Sequence, residues 1–250
     1  MLLVALAGFV VTNVVRDNRA RRVRRDAALP RDTTVTAEQQ AQGVTRVVIG
    51  PAVTQRASPQ ELRRRITMLA SGTYVDDILR EQDSTLYRWP ERLTDPIRVY
   101  IEPSSAVPGW NADLPQLARD VFDEWSLAGS PLRFNFVTDP SNAEMAIRWI
   151  DRFPAADGQR IGVTERVQTS DFLIARAGIS IALHDSVGRA FPAAVVEGIV
   201  RHEVGHALGL NHANDPSSVM YREAATFTMS ASDRATLRVL YLVPPGSLRD

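Results

Sequence analysis

The 250-residue sequence contains no cysteine, so disulfide bonds are excluded and the redox compartment cannot be read from them. It also lacks an excess of either charge: the net charge is zero and the isoelectric point is near 6.9, so nothing indicates a nucleic-acid partner. Histidine is scarce, with four residues in the whole chain. An apolar content of 44% and a charged content of 23% are ordinary for a globular protein.

Long apolar runs are also scarce, and the clearest one covers Met1–Val15. It is shorter than the roughly 20 residues of a membrane-spanning helix, and it lacks the basic start and the cleavage site of a signal peptide. Six arginines follow between Arg16 and Arg25, which favours a membrane anchor over a buried helix. A start codon placed too far downstream would explain the short run. We expect a membrane-anchored or extracytoplasmic protein, with its orientation open.

The chain divides by composition into an apolar segment with a basic flank (1–26), a flexible polar linker (27–57), a helical extension (58–88) and a main domain (89–250). A short strand is expected at Val44–Ile49. Ser58, Pro59 and Glu61 form a helix start, and this helix should run to about Ala70. A second helix should run from Thr73 to near Tyr87. These helices either pack on the main domain or cover a cleft, and the lack of an obvious metal ligand favours packing.

The main domain reads as an α/β (α+β) fold. A helix with one buried stripe, capped by Asp113, is followed much later by a long helix. Because a strand–helix–strand crossover is right-handed, the first two strands should be parallel. Pro154–Thr169 reads as loop, with a short strand at Ile161–Val163. The other predicted elements are strands at Ile97–Ile101, Leu132–Val137, Met145–Ile150 and Ile179–Leu183, and helices at Leu114–Leu127 and Ala193–Leu208.

The segment His202–His212 has the spacing H-E-x-x-H-x-x-G-x-x-H. His202 and His206 lie one helical turn apart on one face and can bind one metal ion. Glu203 lies one step round the helix, where it can reach a metal-bound water. Gly209 permits the positive φ that ends a helix and returns His212 as a third ligand. Three neutral nitrogens and one water form the open coordination of a catalytic zinc site.

Chance is a poor explanation for this pattern. The shorter form H-E-x-x-H has few fixed residues, and a single histidine is more often a surface or core side chain. Here three of the four histidines of the chain fall in the extended pattern. The sequence therefore predicts a metal site.

The extended motif resembles that of the metzincin metallopeptidases, which is followed by a methionine turn. Met220 follows His212 by eight residues, and the Met220–Tyr221 pair is similar to the matrixins, in particular to matrixins of the bacterial type. The segments Met229–Asp233 and Leu237–Tyr241 resemble the start and end of the last matrixin helix. The similarity covers roughly residues 89–242. It implies a zincin domain with a twisted mixed sheet, a long active-site helix and a C-terminal helix.

The resemblance also implies a function. A zinc endopeptidase would hydrolyse peptide bonds of peptides or proteins with Glu203 as general base, and Met220 would form an apolar floor beneath the three histidines. Strand Ile179–Leu183 would be an antiparallel edge strand that binds extended substrate. Two alternatives stay open: a zinc-bound but inactive peptide-binding module, and a peptidase limited to short peptides.

Several features depart from the matrixin pattern. No cysteine is present to occupy the zinc, so latency by a propeptide cysteine is excluded. Outside the motif only His184 remains, so a second zinc held by three further histidines is excluded too. Asp151, Asp157 and Asp185 are candidate ligands for a calcium ion. The alternative for each is a solvated charge in a loop. The sequence does not indicate an oligomeric state.

Overall fold

Strands with alternating apolar side chains form the centre of the fold. The computed structural model describes residues 46–49, 57–92, 95–154, 156, 160–223 and 226–249. The described strands are β1 Arg46–Ile49, β2 Thr85–Leu86, β3 Ile97–Ile101, β4 Phe134–Phe136, β5 Met145–Ile150, β6 Gly162–Thr169, β7 Ile174–Ala182 and β8 Gly246–Ser247. In β3 and β5 every second residue is buried, as the period-two pattern predicts.

Six of these strands form one mixed sheet in the order β1-β6-β7-β5-β3-β4. Strand β6 runs antiparallel to β7, and the other neighbours are parallel. The first two strands of the main domain, β3 and β4, are parallel, as the crossover rule predicts. Strands β2 and β8 form a separate antiparallel pair.

Five α-helices are described: α1 Pro59–Leu69, α2 Val75–Glu81, α3 Leu114–Leu127, α4 Ala193–Ala207 and α5 Ala231–Leu242. The buried stripe of α3 contacts both the sheet and α4. Phe122 packs edge-on against Phe134 of β4, and the Trp125 indole donates to the Arg201 carbonyl on α4. The predicted α/β (α+β) class, with a mixed sheet, a long helix and a C-terminal helix, is therefore confirmed.

The extension before the main domain packs into the same hydrophobic core. Leu62 of α1, Ile78 of α2 and Trp89 are fully buried. The Trp89 indole donates to the Ala207 carbonyl at the end of α4. All of the described residues belong to one compact unit, Val35–Asp250. Packing on the main domain, rather than covering a cleft, is thus the arrangement that these helices adopt.

The prediction of the cleft-side strand was wrong. Residues Ile179–Leu183 were expected at the edge of the sheet, but β7 lies between β5 and β6. The antiparallel strand outside it is β6, which falls in the segment predicted as loop. Its inward-facing residues Thr164, Arg166 and Gln168 are buried but polar, so the alternation of apolar residues that marks a strand is missing.

Two smaller predictions were also wrong. The second helix ends at Glu81 rather than near Tyr87, because Asp83 and Ser84 adopt positive φ angles of 55° and 60°, which a helix does not tolerate. Asp113 precedes α3, but its side chain makes no capping hydrogen bond. Ser58, by contrast, accepts a hydrogen bond from the Glu61 amide at the start of α1, as predicted.

Among the described residues, every helix is too short or too polar to cross a membrane. The predicted anchor at Met1–Val15 and all of the predicted linker except Arg46–Ile49 and Ala57 lie outside the described residues. The divisions at 26, 57 and 88 stay predictions.

Candidate metal centre

Helix α4 places two imidazoles of the motif one above the other. His202 and His206 are four residues apart, and their Nε2 atoms lie 3.0 Å apart. The helix ends at Ala207, and Gly209, two residues later, has a φ of 107° in the left-handed region. A side chain there would also meet the Tyr87 carbonyl oxygen, which lies 2.5 Å from the position of a Cβ atom. Glycine at this position therefore lets the chain turn back at once toward the two histidines.

His212, three residues after that turn, completes the group. Its ring centroid lies 4.7 Å from that of His206 and 5.5 Å from that of His202. One nitrogen from each of the three rings lies within 4.8 Å of the other two. Among the described residues, no other group of three or more histidine, aspartate or glutamate side chains is arranged to hold a metal ion.

The outer nitrogen of each ring has its own acceptor. His202 Nδ1 donates to the Val219 carbonyl at 2.7 Å, and His206 Nδ1 donates to the Leu210 carbonyl at 3.0 Å. His212 Nδ1 donates to Glu81 Oε1 at 2.7 Å. Because an acceptor fixes the proton on Nδ1, the lone pair of each Nε2 faces the other rings.

This donor set fits zinc. Burial lowers the pKa of His202, and burial together with the two neighbouring imidazoles lowers the pKa of His206 well below its usual value. Both rings are therefore neutral at pH 7, and their Nε2 lone pairs repel each other at 3.0 Å unless a cation lies between them. Two nitrogen ligands of one tetrahedral zinc ion lie about 3.3 Å apart, close to this distance.

Glu203 is buried beside the histidines and faces strand β6. Its Oε2 accepts a hydrogen bond from Thr164 Oγ1 at 2.7 Å. Burial raises the pKa of Glu203 to about 7, although the Thr164 hydroxyl partly opposes the shift. A carboxyl group with such a pKa can accept and release a proton near neutral pH.

Met220 lies directly beneath the helix of the motif. It is fully buried, and its Sδ lies 2.4 Å from where a Cβ atom of Gly205 would be, so only glycine leaves room for it. Asp233 of α5 holds the turn before it, since its carboxylate accepts from the Val219 amide at 3.0 Å and from the Ser218 hydroxyl. That turn also presents the carbonyl that binds His202.

Three residues of the site were missed from the sequence: Thr164, Glu81 and Asp233. Thr164 lies in the strand that was read as loop, and Glu81 lies 131 residues before the histidine it contacts. Asp233 had a local signal, because Ser230 and Asp233 form the capping box that starts α5. The pattern revealed the helix start, and it gave no sign that the same carboxylate reaches the methionine turn.

The carboxylates considered for calcium have other partners. Asp151 Oδ1 lies 2.9 Å from His184 Nδ1, and Asp185 accepts from the backbone amides of Val187 and Arg189 as well as from the Arg189 guanidinium. Asp157 lies outside the described residues.

The carboxylate of Glu81 lies beside the third histidine, His212. It contacts His212 with both oxygens and also pairs with Arg222. Burial alone would raise the pKa of Glu81, but the hydrogen bonds from His212 and the nearby Arg222 guanidinium outweigh burial and lower the pKa to about 2. Glu81 is therefore a carboxylate at neutral pH.

Short stretches of the chain are similar to known proteins. The chain is 42% identical over 48 residues to matrilysin of Felis catus, covering 17% of this chain and 18% of the relative. It is 47% identical over 45 residues to macrophage metalloelastase of Oryctolagus cuniculus, covering 16% and 10%. The chain thus spans less than a fifth of the length of these relatives.

The family comparison covers more of the chain. A family model described as matrixin matches residues 99–242, which include α4, the methionine turn and α5. That match extends over more than half of the 250 residues, and the chain therefore belongs to the matrixin family.

Proposed function

We propose that the chain is a zinc-dependent endopeptidase in which His202, His206 and His212 bind the metal and Glu203 is the general base. The observation that carries the proposal is the orientation of the three imidazoles, whose Nδ1 atoms all donate outward and whose Nε2 atoms face one another. The matrixin match to residues 99–242 supports zinc as the metal. When bound there, zinc supplies a Lewis acid and a water of lowered pKa.

Glu203 moves the proton in this proposal. Its Oε2 is held by Thr164 Oγ1, which leaves Oε1 to take the proton from the attacking water and to deliver it to the leaving amine. The pKa of about 7 suits both steps, because the carboxylate accepts a proton and the acid releases it near neutral pH. Burial of the carboxylate excludes bulk water from this transfer.

The substrate is proposed to be an extended peptide bound at the edge of β6. This strand replaces β7 as the strand beside the cleft, because Thr164 in β6 contacts Glu203 directly. On the side away from β7, β1 pairs with Arg166–Thr169, whereas the described residues provide no partner strand for Gly162–Glu165. In this proposal, the backbone groups of that stretch that point away from β7 form hydrogen bonds with a peptide beside the metal.

Two further parts of the proposal rest on the sequence. The apolar Met1–Val15 and the arginines after it favour membrane attachment or an extracytoplasmic location. A calcium site near Asp151 and Asp185 stays a prediction, and it requires Arg189 to give up its present contacts with Asp185. Calcium titration followed by thermal unfolding tests it.

The proposal is tested by digestion of a denatured protein mixture with the zinc-loaded chain. We expect cleavage by the wild-type chain and a loss of roughly 10²–10⁴-fold in Glu203→Gln, because the general base is removed. Glu203→Gln should still bind zinc, since the three imidazoles are unchanged. Glu197→Gln is the matched control, because it alters a carboxylate of the same helix that pairs with Arg201 instead.

Each alternative predicts a different result. Equal cleavage by the wild-type chain and Glu203→Gln would contradict the role of Glu203. A wild-type chain that binds zinc and peptides without cleaving them would be an inactive binding module. Cleavage of short peptides but not of denatured proteins would restrict the substrate class.

A further inference from the structure

The third histidine of the metal centre is held by a residue from outside the motif. Glu81, the last residue of α2, contacts His212 with both of its carboxylate oxygens. Its Oε1 accepts from His212 Nδ1 at 2.7 Å, and its Oε2 accepts from the His212 backbone amide at 2.9 Å. The side chains of Glu81 and His212 are only 14% and 16% exposed, so water competes little for these bonds.

The other two histidines are held differently. The Nδ1 atoms of His202 and His206 donate to backbone carbonyls, those of Val219 and Leu210. A backbone carbonyl is provided by the fold whatever the side chain at that position. His212 alone among the three depends on a side chain, and that side chain is a charged acceptor, which makes a stronger hydrogen bond than a neutral one.

His212 also has the greatest need for support. His202 and His206 are fixed by α4, whereas His212 lies in the loop that follows Gly209. A second carboxylate of α2 binds the same loop: Asp77 accepts from the Asn214 backbone amide and side-chain amide, both at 2.9 Å. Asp77 and Glu81 are four residues apart, so they lie on one face of α2.

Helix α2 is itself firmly placed. Val75, Ile78 and Leu79 are buried in the core. The Tyr74 amide donates to Thr236 Oγ1 of α5 at 3.0 Å, which ties the start of α2 to the C-terminal helix. The helix precedes the matrixin match, which begins at residue 99. The extension is therefore positioned to influence the metal centre from outside the matched domain.

We propose that Glu81 is a positioning residue for the metal centre. It fixes the proton of His212 on Nδ1, directs Nε2 toward the other two imidazoles and thereby increases the affinity of the site for its metal ion. The extension 58–88 then completes the centre rather than merely packing beside it. This inference rests on the proposed metal site, but it does not require that the chain cleave peptides.

The test is the zinc dissociation constant of the full chain, measured by competition with a chelator at pH 7. We expect Glu81→Gln to weaken zinc binding about 10–100-fold, the usual effect of removing an outer carboxylate from a ligating histidine. Glu61→Gln is the matched control. Its carboxylate lies in the neighbouring helix α1, pairs with Arg64 and Arg65, and should leave the affinity unchanged.

A purely structural role is distinguished by Asp77→Asn. This variant weakens the hydrogen bonds between α2 and the loop that carries His212, and it leaves the imidazole unchanged, so it should weaken zinc binding much less than Glu81→Gln. Equal weakening by both variants would overturn the proposal, because Glu81 would then only hold the loop in place. An unchanged affinity in Glu81→Gln would overturn it as well.

A measurement on the wild-type chain keeps the proposal testable if Glu81→Gln does not fold. Nitrogen-15 NMR of labelled histidine reports the tautomer of each ring, and we expect His212 to carry its proton on Nδ1 in the metal-free chain and to bind zinc through Nε2. Ligation through Nδ1 would overturn the positioning role alone. A wild-type chain that binds no zinc would overturn the proposed function together with it.

Discussion

At the residue scale, Glu203 owes its position to two residues of strand β6. Thr164 holds the carboxylate from one side with a hydrogen bond of 2.7 Å. Gly162 allows it to lie against the backbone, because a Cβ atom there would be 2.4 Å from Oε1 and 2.7 Å from Cγ of Glu203. Strand β6 thus positions the proposed general base, and it is also the proposed substrate-binding strand.

We predict that Gly162→Ala impairs catalysis without removing the metal. The added methyl group forces the Glu203 side chain away from Thr164, and displacement of a catalytic group by about 1 Å can cost on the order of 10²-fold in rate. The imidazoles are untouched, so zinc affinity should stay within about twofold of the wild type. Steady-state kinetics on a peptide substrate and chelator competition measure the two effects.

The neighbouring Val163→Ala is the matched control for this variant, since Val163 lies next to Gly162 and is only partly buried. It should leave the rate nearly unchanged. Wild-type kcat in Gly162→Ala would show that Glu203 can move without consequence, and would contradict the account of its position.

What the sequence reveals at this scale depends on distance along the chain. His202, Glu203, His206 and His212 occupy one short segment, so helical geometry alone relates them. Thr164 and Glu81 lie 39 and 131 residues from the side chains that they contact. Such contacts follow from the packing of whole elements, and spacing in the sequence carries no sign of them.

At the element scale, Glu144 joins the starts of neighbouring strands of the sheet. The residue precedes β5 and accepts from the Arg98 amide of β3 at 3.2 Å. Its carboxylate also binds the Arg92 guanidinium with distances of 2.5 and 3.1 Å. Burial alone would raise the pKa of Glu144, but the arginines and the Arg98 amide outweigh it and lower the pKa.

We predict that Glu144→Gln destabilises the protein at neutral pH and much less in acid. A carboxyl whose pKa is lower in the folded than in the unfolded chain stabilises the fold above its unfolded pKa of 4.5, and this contribution is lost as the pH falls through the folded value. The loss at pH 7 should be about 1–3 kcal/mol, since Arg92 keeps its charge with a weaker partner.

Urea unfolding of the wild type and Glu144→Gln between pH 7 and pH 3 measures this difference. The gap in the free energy of unfolding should narrow below about pH 4.5, the unfolded pKa. Glu165→Gln serves as the control, because Glu165 is an exposed carboxylate on β6. A gap that stays constant over the whole range would show that the charge of Glu144 contributes nothing.

The helices and strands were predicted correctly where the local pattern of apolar residues is strong. Strands β3 and β5 have the predicted bounds because each alternates apolar residues over five or six positions. Strand β6 was missed because its inward-facing side chains are polar. The position of β7 inside the sheet was missed for another reason: the order of strands depends on which distant segments pair, and no local pattern encodes that order.

At the scale of the whole molecule, the extension and the matrixin domain share one core. Leu62, Ile78 and Leu86 are fully buried against it. Strand β2 pairs with β8 near the end of the chain, and Gly246 of β8 lies close enough to Leu62 that an added Cβ atom would be 3.5 Å from its side chain. The unit that folds should therefore be larger than the segment 99–242 matched by the family model.

We predict that a chain beginning at Trp89 does not fold. It loses α1, α2 and β2, and each large apolar residue withdrawn from the core represents about 1.5–3 kcal/mol of burial. Six such residues lie in these elements: Leu62, Ile66, Val75, Ile78, Leu79 and Leu86. Their combined burial is comparable to the whole free energy of unfolding of a typical domain, roughly 5–15 kcal/mol.

Urea unfolding followed by circular dichroism should show no cooperative transition for the chain that begins at Trp89, whereas a chain beginning at Ala57 should unfold cooperatively and bind zinc. Cooperative unfolding by the shorter chain would make the extension a separable segment. If that chain also bound zinc with wild-type affinity, the result would contradict the role of Glu81, because the metal centre would then be complete without α2.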